Sequence, residues 1–326
     1  MSGQGRTLVA GEALFDLWLE DGEVRGRPGG GPFNTARTLG RLRRPVAYLG
    51  ALSTDGLGRT LREHLARDGV AAGAIVDSAL PTTLALADLG APGGVRYGFW
   101  GEGTASASLR PDAALAAIPA DVDVLHVGTL GLVFEPVAEA LEAVTARLAP
   151  RALVVLDPNV RPAAITRERA WRDRLDRVLA LTTVVKVSDE DLAWLCPGQA
   201  TADAARGLLA RGPAVVLLTR GAAGVVVMTA GGERAIAAPR VDVVDTIGAG
   251  DAFSGGFLAA WRPAAGGAAD LDGAAAAAAY GALVAAMTCE HAGASPPTLD
   301  EVGARQRRGT AGSAKSASDS IPPRSA

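Results

Sequence analysis

The stretch VVDTIGAGDAFSGGFLAAW, residues 243–261, carries the residue types and spacing best suited to chemistry. An apolar run leads through Asp245 and Thr246 into Gly248-Ala249-Gly250. Asp251 follows, with a helical pattern that sets Phe253, Phe257 and Trp261 on one apolar face. Small residues let a backbone turn tightly and bring successive N–H groups close to a ligand. At a helix N-terminus those donors lack partners and the dipole also favours an anion, so a polyphosphate is the natural occupant. Asp251 has two readings: it caps the helix, as Asp often does in a first turn, or it takes a proton from a hydroxyl attacking the bound phosphate. A carboxylate beside a phosphate repels it, so its presence there asks for a reason.

Other nucleotide motifs are missing. No GxxxxGK[ST] occurs, and neither Lys186 nor Lys315, the only lysines, follows a Gly-rich turn, which excludes a Walker-type site as written. Gly29-Gly30-Gly31 comes early, but Pro32 and Asn34 follow without the third glycine of a dinucleotide fingerprint. A net charge of −3 predicts neither a nucleic-acid nor a membrane-surface partner. Cys196 and Cys289 lack metal-ligand spacing and read as two reduced thiols. His64, His126 and His291 are scattered. The N-terminal residues lack the pattern of a signal peptide, and no apolar run approaches the roughly 20 residues of a membrane helix. The expected location is the cytoplasm.

The elements that must position these residues follow a regular rhythm. At 326 residues with 48% hydrophobic content, the chain can bury a large core, as one big α/β domain or two smaller ones. Apolar β-branched runs predict strands at Thr7–Ala10, Val46–Leu49, Val122–Val127, Leu153–Asp157, Val184–Val187 and Val215–Thr219. Helical patterns lie between them at about 33–43, 57–68, 135–148, 168–180 and 201–211. Such alternation predicts an α/β fold, a mostly parallel sheet with helices on both faces. Residues 12–28 and 82–100 break the rhythm and read as a small β-structure covering a site, or as two edge hairpins. Residues 304–326, rich in Ser, Ala, Arg and Pro, read as a disordered tail to a domain spanning 1–303.

Residues 245–258 (DTIGAGDAFSGGFL) resemble the C-terminal signature of the ribokinase-like, or PfkB, carbohydrate kinases. GGGPFNTA at 29–36 is similar to the N-terminal signature. LSTDGLG, LDPNVRP, KVSDEDLAWL and LTRGAAG fall between them in the family's order, and the likeness covers about residues 6–300. Within the family, GEALFDL, GGGPFN, PTTLAL, DPNVRP and KVSDEDL look most like bacterial fructokinases.

The resemblance implies a three-layer ribokinase-like fold with a small β lid, and ATP-dependent phosphorylation of a sugar hydroxyl, fructose first. Asp16, Gly30, Gly31 and Asn34 would bind sugar hydroxyls, Asp251 would be the base, and Gly248, Ala249 and Gly250 the anion hole. Ser188, Thr219, Arg220, Gly221 and Gly224 would flank the nucleotide, with Arg161 facing phosphates or substrate. Mg2+ would be held through water by Asp191 and Glu190, and K+ by backbone carbonyls near the anion hole. The lid would also be a homodimer contact. Phe99 and Trp100 on it have two readings, a contact to sugar or, as aromatic residues in a β-stretch more often do, simple packing. Arg43 and Ser53 stand where the family has glycine, and Asp191 where it has Glu. The rival readings are a 2-keto-3-deoxygluconate kinase using Arg161 or Arg96, a nucleoside kinase, and a non-catalytic sugar- or nucleotide-binding regulator.

Overall fold

The computed structural model describes residues 5–20, 22–88, 96–261 and 270–318. A large sheet is built from β1 (Arg6–Ala10), β4 (Val46–Ser53), β5 (Ile75–Ser78), β8 (Val122–Gly128), β9 (Leu153–Asp157), β10 (Val184–Ser188), β11 (Val215–Thr219), β12 (Val225–Thr229) and β13 (Gly232–Ile236). Their spatial order is β13-β12-β11-β10-β9-β8-β1-β4-β5. Strands β5 to β11 of that order run parallel, and the β12–β13 hairpin adds an antiparallel edge. The six strands expected from apolar runs all lie in this sheet.

Alternation along the strands makes the layers. Leu8 and Ala10 of β1 enter one apolar cluster with Leu141 of α4 (Val137–Leu148), Trp171 of α5 (Glu168–Leu179), Leu192 of α6 (Asp189–Leu195) and Leu208 of α7 (Thr201–Leu209). Ala114 of α3 (Pro111–Ala116) joins them. Val9, between Leu8 and Ala10, enters the opposite cluster. There it meets Phe33 of α1 (Gly31–Arg41), Leu61 of α2 (Gly56–Arg67), Phe257 of α8 (Ala249–Ala260), Ala278 of α9 (Leu271–Cys289) and Val302 of α10 (Leu299–Ser318). The parallel strands are apolar on both faces because both faces are covered.

The two segments that broke the rhythm form a separate sheet. Strands β2 (Leu14–Glu20) and β3 (Glu23–Gly29) pair as one hairpin, and β6 (Leu84–Asp88) pairs with β7 (Arg96–Trp100). Parallel pairing of β2 with β6 joins them in the order β3-β2-β6-β7. Residues 89–95 of the second segment lie outside the described residues. The chain enters this small sheet directly from the end of β1 and leaves it into α1, so it is rooted beside the C-terminal ends of the parallel strands. Ligands of open α/β sheets bind at that edge.

Two helices bear on the sequence reading. Helix α10 runs on through residues 304–318, the stretch that composition reads as the start of a tail. Residues 319–326 lie outside the described residues. Helix α9, with 19 residues, is the one described helix long and apolar enough to cross a membrane. Over half of that window is buried, against α8 and the sheet, as in a core helix.

Helix α8 is held close to its neighbours by small residues. A Cβ on Gly255 would lie 2.5 Å from Thr38 Cβ of α1, and one on Gly256 would lie 2.9 Å from Gly281 Cα of α9. Backbone faces backbone at the second contact, so a larger residue must push the helices apart. Gly256→Val should therefore cost about 1–3 kcal/mol. Urea unfolding with a wild-type midpoint would show that α8 and α9 part freely.

Candidate active site

Helix α8 starts at Gly248, whose φ of 77° is left-handed and whose added Cβ would strike Ala294 Cβ at 2.5 Å. No side chain caps this N-terminus. The Ala249 amide turns back to the Thr246 carbonyl at 3.2 Å, so the helix opens from a tight loop. The sequence-predicted turn is thus a helix N-terminus suited to an anion.

Asp251 is buried in the first turn, and its Oδ2 accepts a 2.9 Å hydrogen bond from Asn34 Nδ2 on α1, 217 residues away in the chain. Burial pushes its carboxyl up to about 6. The Asn34 hydrogen bond pulls the other way, the charge of Asp157 adds to the rise, and Lys186 and Arg161 oppose it. Asp251 is not a simple cap, since its side chain reaches across to another helix. Asn34 Oδ1 is buried without a partner, an acceptor waiting for a donor.

The early glycine loop lies against this carboxylate. Gly30 has φ 107°, and a Cβ there would sit 2.7 Å from the Glu12 carbonyl oxygen. A Cβ on Gly31 would lie 3.2 Å from Asp251 Oδ1 and 2.7 Å from Thr129 Oγ1. Asp16, on β2 of the small sheet, is pushed up to about 6 by burial against the pull of Arg27 and Arg161. Asp16, Gly30, Gly31, Asn34, Arg161 and Asp251 therefore belong to one neighbourhood. Arg161 Nη1 donates to the carbonyls of Asn159 (3.2 Å) and Val160 (3.1 Å).

The residues expected to flank a nucleotide end the neighbouring strands. Thr219 closes β11 beside Ser188 at the end of β10. The Arg220 amide donates to the Gly224 carbonyl at 2.8 Å, and Gly221 and Gly224 both have positive φ, which makes a tight turn into β12. Asp191 is occupied differently from the expectation. Its Oδ2 accepts from the Ser188 amide (2.8 Å) and its Oδ1 from the Val160 amide (2.7 Å), while Ser188 Oγ accepts from the Asp191 amide. That is a capping box at the start of α6. The buried carboxylate oxygen left without a partner is Asp157 Oδ1, and Glu190 is exposed.

Several residues at the site went unnoticed in the sequence. Glu12, 2% exposed, accepts from the amides of Gly31 (3.2 Å) and Gly131 (3.0 Å) and so fixes the glycine loop. Burial pushes its carboxyl up to about 8 against those amides. Lys186 Nζ bonds Asp157 Oδ2 at 3.0 Å, both side chains being nearly inaccessible. It lies under the phosphate turn, 3.1 Å from where a Gly250 Cβ would be. Burial would lower its ammonium, but Asp157 first, then Asp191 and Asp251, outweigh it and hold the group above the usual lysine value. Thr129 (φ 62°) and Asn159 (φ 38°) follow β8 and β9 with left-handed backbones, strain of the kind that gathers at active sites.

Phe99 packs against a small cluster of Leu14, Ala85, Leu130 and Ala164, and Trp100 is 55% exposed. His126 is buried in β8, with burial holding its imidazole down at about 3, and the three histidines do not gather. Arg43, where the family has glycine, keeps a left-handed φ of 55°. The backbone requirement survived while the residue that meets it easily did not.

Comparison with known proteins shows the family and the fold. The sequence pattern of the pfkB family carbohydrate kinases matches residues 8–301. A fructokinase of Rhizobium leguminosarum bv. trifolii is 37% identical over 261 residues, covering 78% of this chain and 79% of that protein. An aminoimidazole riboside kinase of Salmonella typhimurium is 30% identical over 267 residues, covering 79% and 81%. The crystal structure of a fructokinase with bound ATP from Xylella fastidiosa superposes with a TM-score of 0.86 at 26% identity, over 94% of this chain and 99% of that one.

Two measurements probe these charges. A base works ionised, so kcat/KM should fall as the pH drops through about 6, where Asp251 takes up its proton. Asp251→Asn should cut kcat about 10²–10⁴-fold; a loss under tenfold would remove the base assignment. Lys186→Met leaves Asp157 buried and unpaired, at a cost of about 3–5 kcal/mol, whereas Lys186→Met with Asp157→Asn should cost much less. Equal unfolding midpoints for the single and double variants would mean the pair is not coupled.

Proposed function

The chain belongs to the pfkB family of carbohydrate kinases, phosphotransferases with an alcohol acceptor, and within it we propose an ATP-dependent fructokinase that converts D-fructose to fructose 6-phosphate. The observation that carries the reading is Asp251: a buried carboxylate with a raised pKa, hydrogen-bonded to Asn34, between a glycine loop and an uncapped helix N-terminus. The fructokinase relative favours fructose among the family's acceptors.

The chain's own groups perform the step by placement and charge. Asp16 accepts hydroxyl protons and the unpaired Asn34 Oδ1 accepts another, which orients the sugar. Asp251 takes the proton from the attacking hydroxyl as the new P–O bond forms and the bond to ADP breaks. The helix N-terminus at Gly248, Ala249 and Gly250, where the Ala249 amide is tied to Thr246, sets its positive end against the charge developing on the transferred group, and Arg161 faces the same space. Ser188, Thr219, Arg220, Gly221 and Gly224 line the nucleotide side. When bound, magnesium neutralises phosphate charge. The donors present fit it, since Mg2+ keeps several waters and needs only one or two carboxylates. Asp157, with its unpartnered oxygen, and exposed Glu190 would hold it through water, with Asp191 supporting them as the cap. Potassium beside the turn completes the proposed ion set.

We place the enzyme in the cytoplasm, as a homodimer joined through the small sheet. Leu19 (51% exposed) and Val24 (66%) are cross-strand neighbours there, an apolar surface that a second copy would cover. The aminoimidazole riboside kinase relative supports one rival, a riboside acceptor.

An acceptor panel decides between them: fructose, 2-keto-3-deoxygluconate, ribose, adenosine and aminoimidazole riboside, each with ATP and with product identified. Fructose should have the highest kcat/KM by about tenfold or more, a margin of roughly 1.4 kcal/mol in transition-state binding. A riboside in first place overturns the fructokinase reading. Binding without turnover across the panel would make the protein a regulator.

A further inference from the structure

Arg27, on β3 of the small sheet, stands outside every motif that pointed to the site, yet it touches both halves of it. In the β2–β3 ladder it is directly opposite Asp16, the sugar-side carboxylate. Its guanidinium lies over the Trp18 ring at 5.1 Å, a cation–π contact that limits where the head group can go. From there Nη1 donates to Asp245 Oδ2 at 3.3 Å. Asp245 begins the DTIGAGD turn, and its carboxylate is the hub of that turn: Oδ1 accepts from the Ile247 amide at 2.9 Å, and Oδ2 from the Gly293 amide at 2.8 Å. Gly293 is itself pressed against Arg27, since a Cβ there would lie 2.7 Å from Nη1. The side chains of Arg27 and Asp245 are 25% and 22% exposed, a half-shielded pair that salt screens only partly. Arg27 Nε is buried with no hydrogen-bond partner, so the guanidinium has donor capacity left over.

We propose that Arg27 is a positioning residue that references the phosphate turn to the small sheet, so that the turn is set for transfer only when that sheet is seated over the acceptor. The chain of contacts is short and physical: Asp16 binds the acceptor, Arg27 faces Asp16 across the ladder, and Asp245 carries Arg27's position to the amide of Ile247 inside the turn and to that of Gly293 beside it. This rests on the sugar-kinase reading of the site but not on fructose as the acceptor. Without Arg27 the turn and the small sheet move independently. Transfer to the sugar then slows, and water gains access as a competing acceptor. In that side reaction the γ-phosphorus bonds to a water oxygen, the bond to ADP breaks, and the water proton leaves to Asp251 or solvent.

The test uses the full chain with whichever acceptor turns over fastest in the panel above, and measures ADP released against sugar phosphate formed. Wild type should give a ratio of one. Arg27→Gln should lower kcat about tenfold to a hundredfold, the scale of a small misplacement of reacting groups, and raise the ratio clearly above one. Arg27→Lys, which keeps the charge but not the fork, should fall between. A purely structural arginine would lower the melting temperature and leave the ratio at one. If both variants keep wild-type kcat and a ratio of one, the inference is overturned; the lysine variant decides alone if the glutamine variant does not fold. Wild type that phosphorylates no sugar sinks the underlying reading instead, so the two failures are distinguishable.

Discussion

Keeping an ionisable carboxylate out of water at the N-terminus of a helix is the constraint around which the rest is arranged. Asp251 loses hydration on burial, and the like charge of Asp157 makes ionisation harder still. One hydrogen bond from Asn34 offsets part of that cost, and it exists only because α1 and α8 pack closely enough for Gly255 to face Thr38. Lys186 neutralises Asp157 from below, and Arg161 adds positive charge from the side. The outcome is a carboxyl poised near 6, ionised at neutral pH yet still willing to hold a proton in passing.

The charge balance also accounts for the odd lysine. The chain has 32 basic residues and uses arginine almost everywhere, but the position beneath the phosphate turn holds Lys186. A guanidinium is a wide planar fork, and an ammonium is a compact point charge. Nζ comes within 3.1 Å of the place where a Gly250 Cβ would stand, so the missing side chain at Gly250 is what leaves the ammonium its room. Composition had already flagged this residue as unusual; its chemistry became visible only when the strand put it under the turn.

Legibility in the sequence followed the range of the physics involved. Strand runs and helix periods are local, and the parallel sheet, its helices and the small second sheet could all be read from them. The glycine turn and Asp251 could be read because a tight turn before a helix is local too. The Ser188–Asp191 pair has the spacing of a capping box, so its cap was open to reading as well, although the resemblance drew attention to metal instead. Glu12 sits in an apolar run and gave no signal, since its partners are the amides of Gly31 and Gly131, far along the chain. Thr129 and Asn159 were invisible for another reason: backbone strain is a property of where a strand must end, not of residue type.

The small sheet draws strands from two distant excursions, with Phe15 set against Leu84. Between them the chain must first lay down α1, β4, α2 and β5. The main sheet closes a longer span still, with Arg6 of β1 set against Val122 of β8, so distance along the chain is not what sets the small sheet apart. It is set apart because it shares no strand with the main sheet, and its ladder can therefore shift without breaking a rung of the larger one.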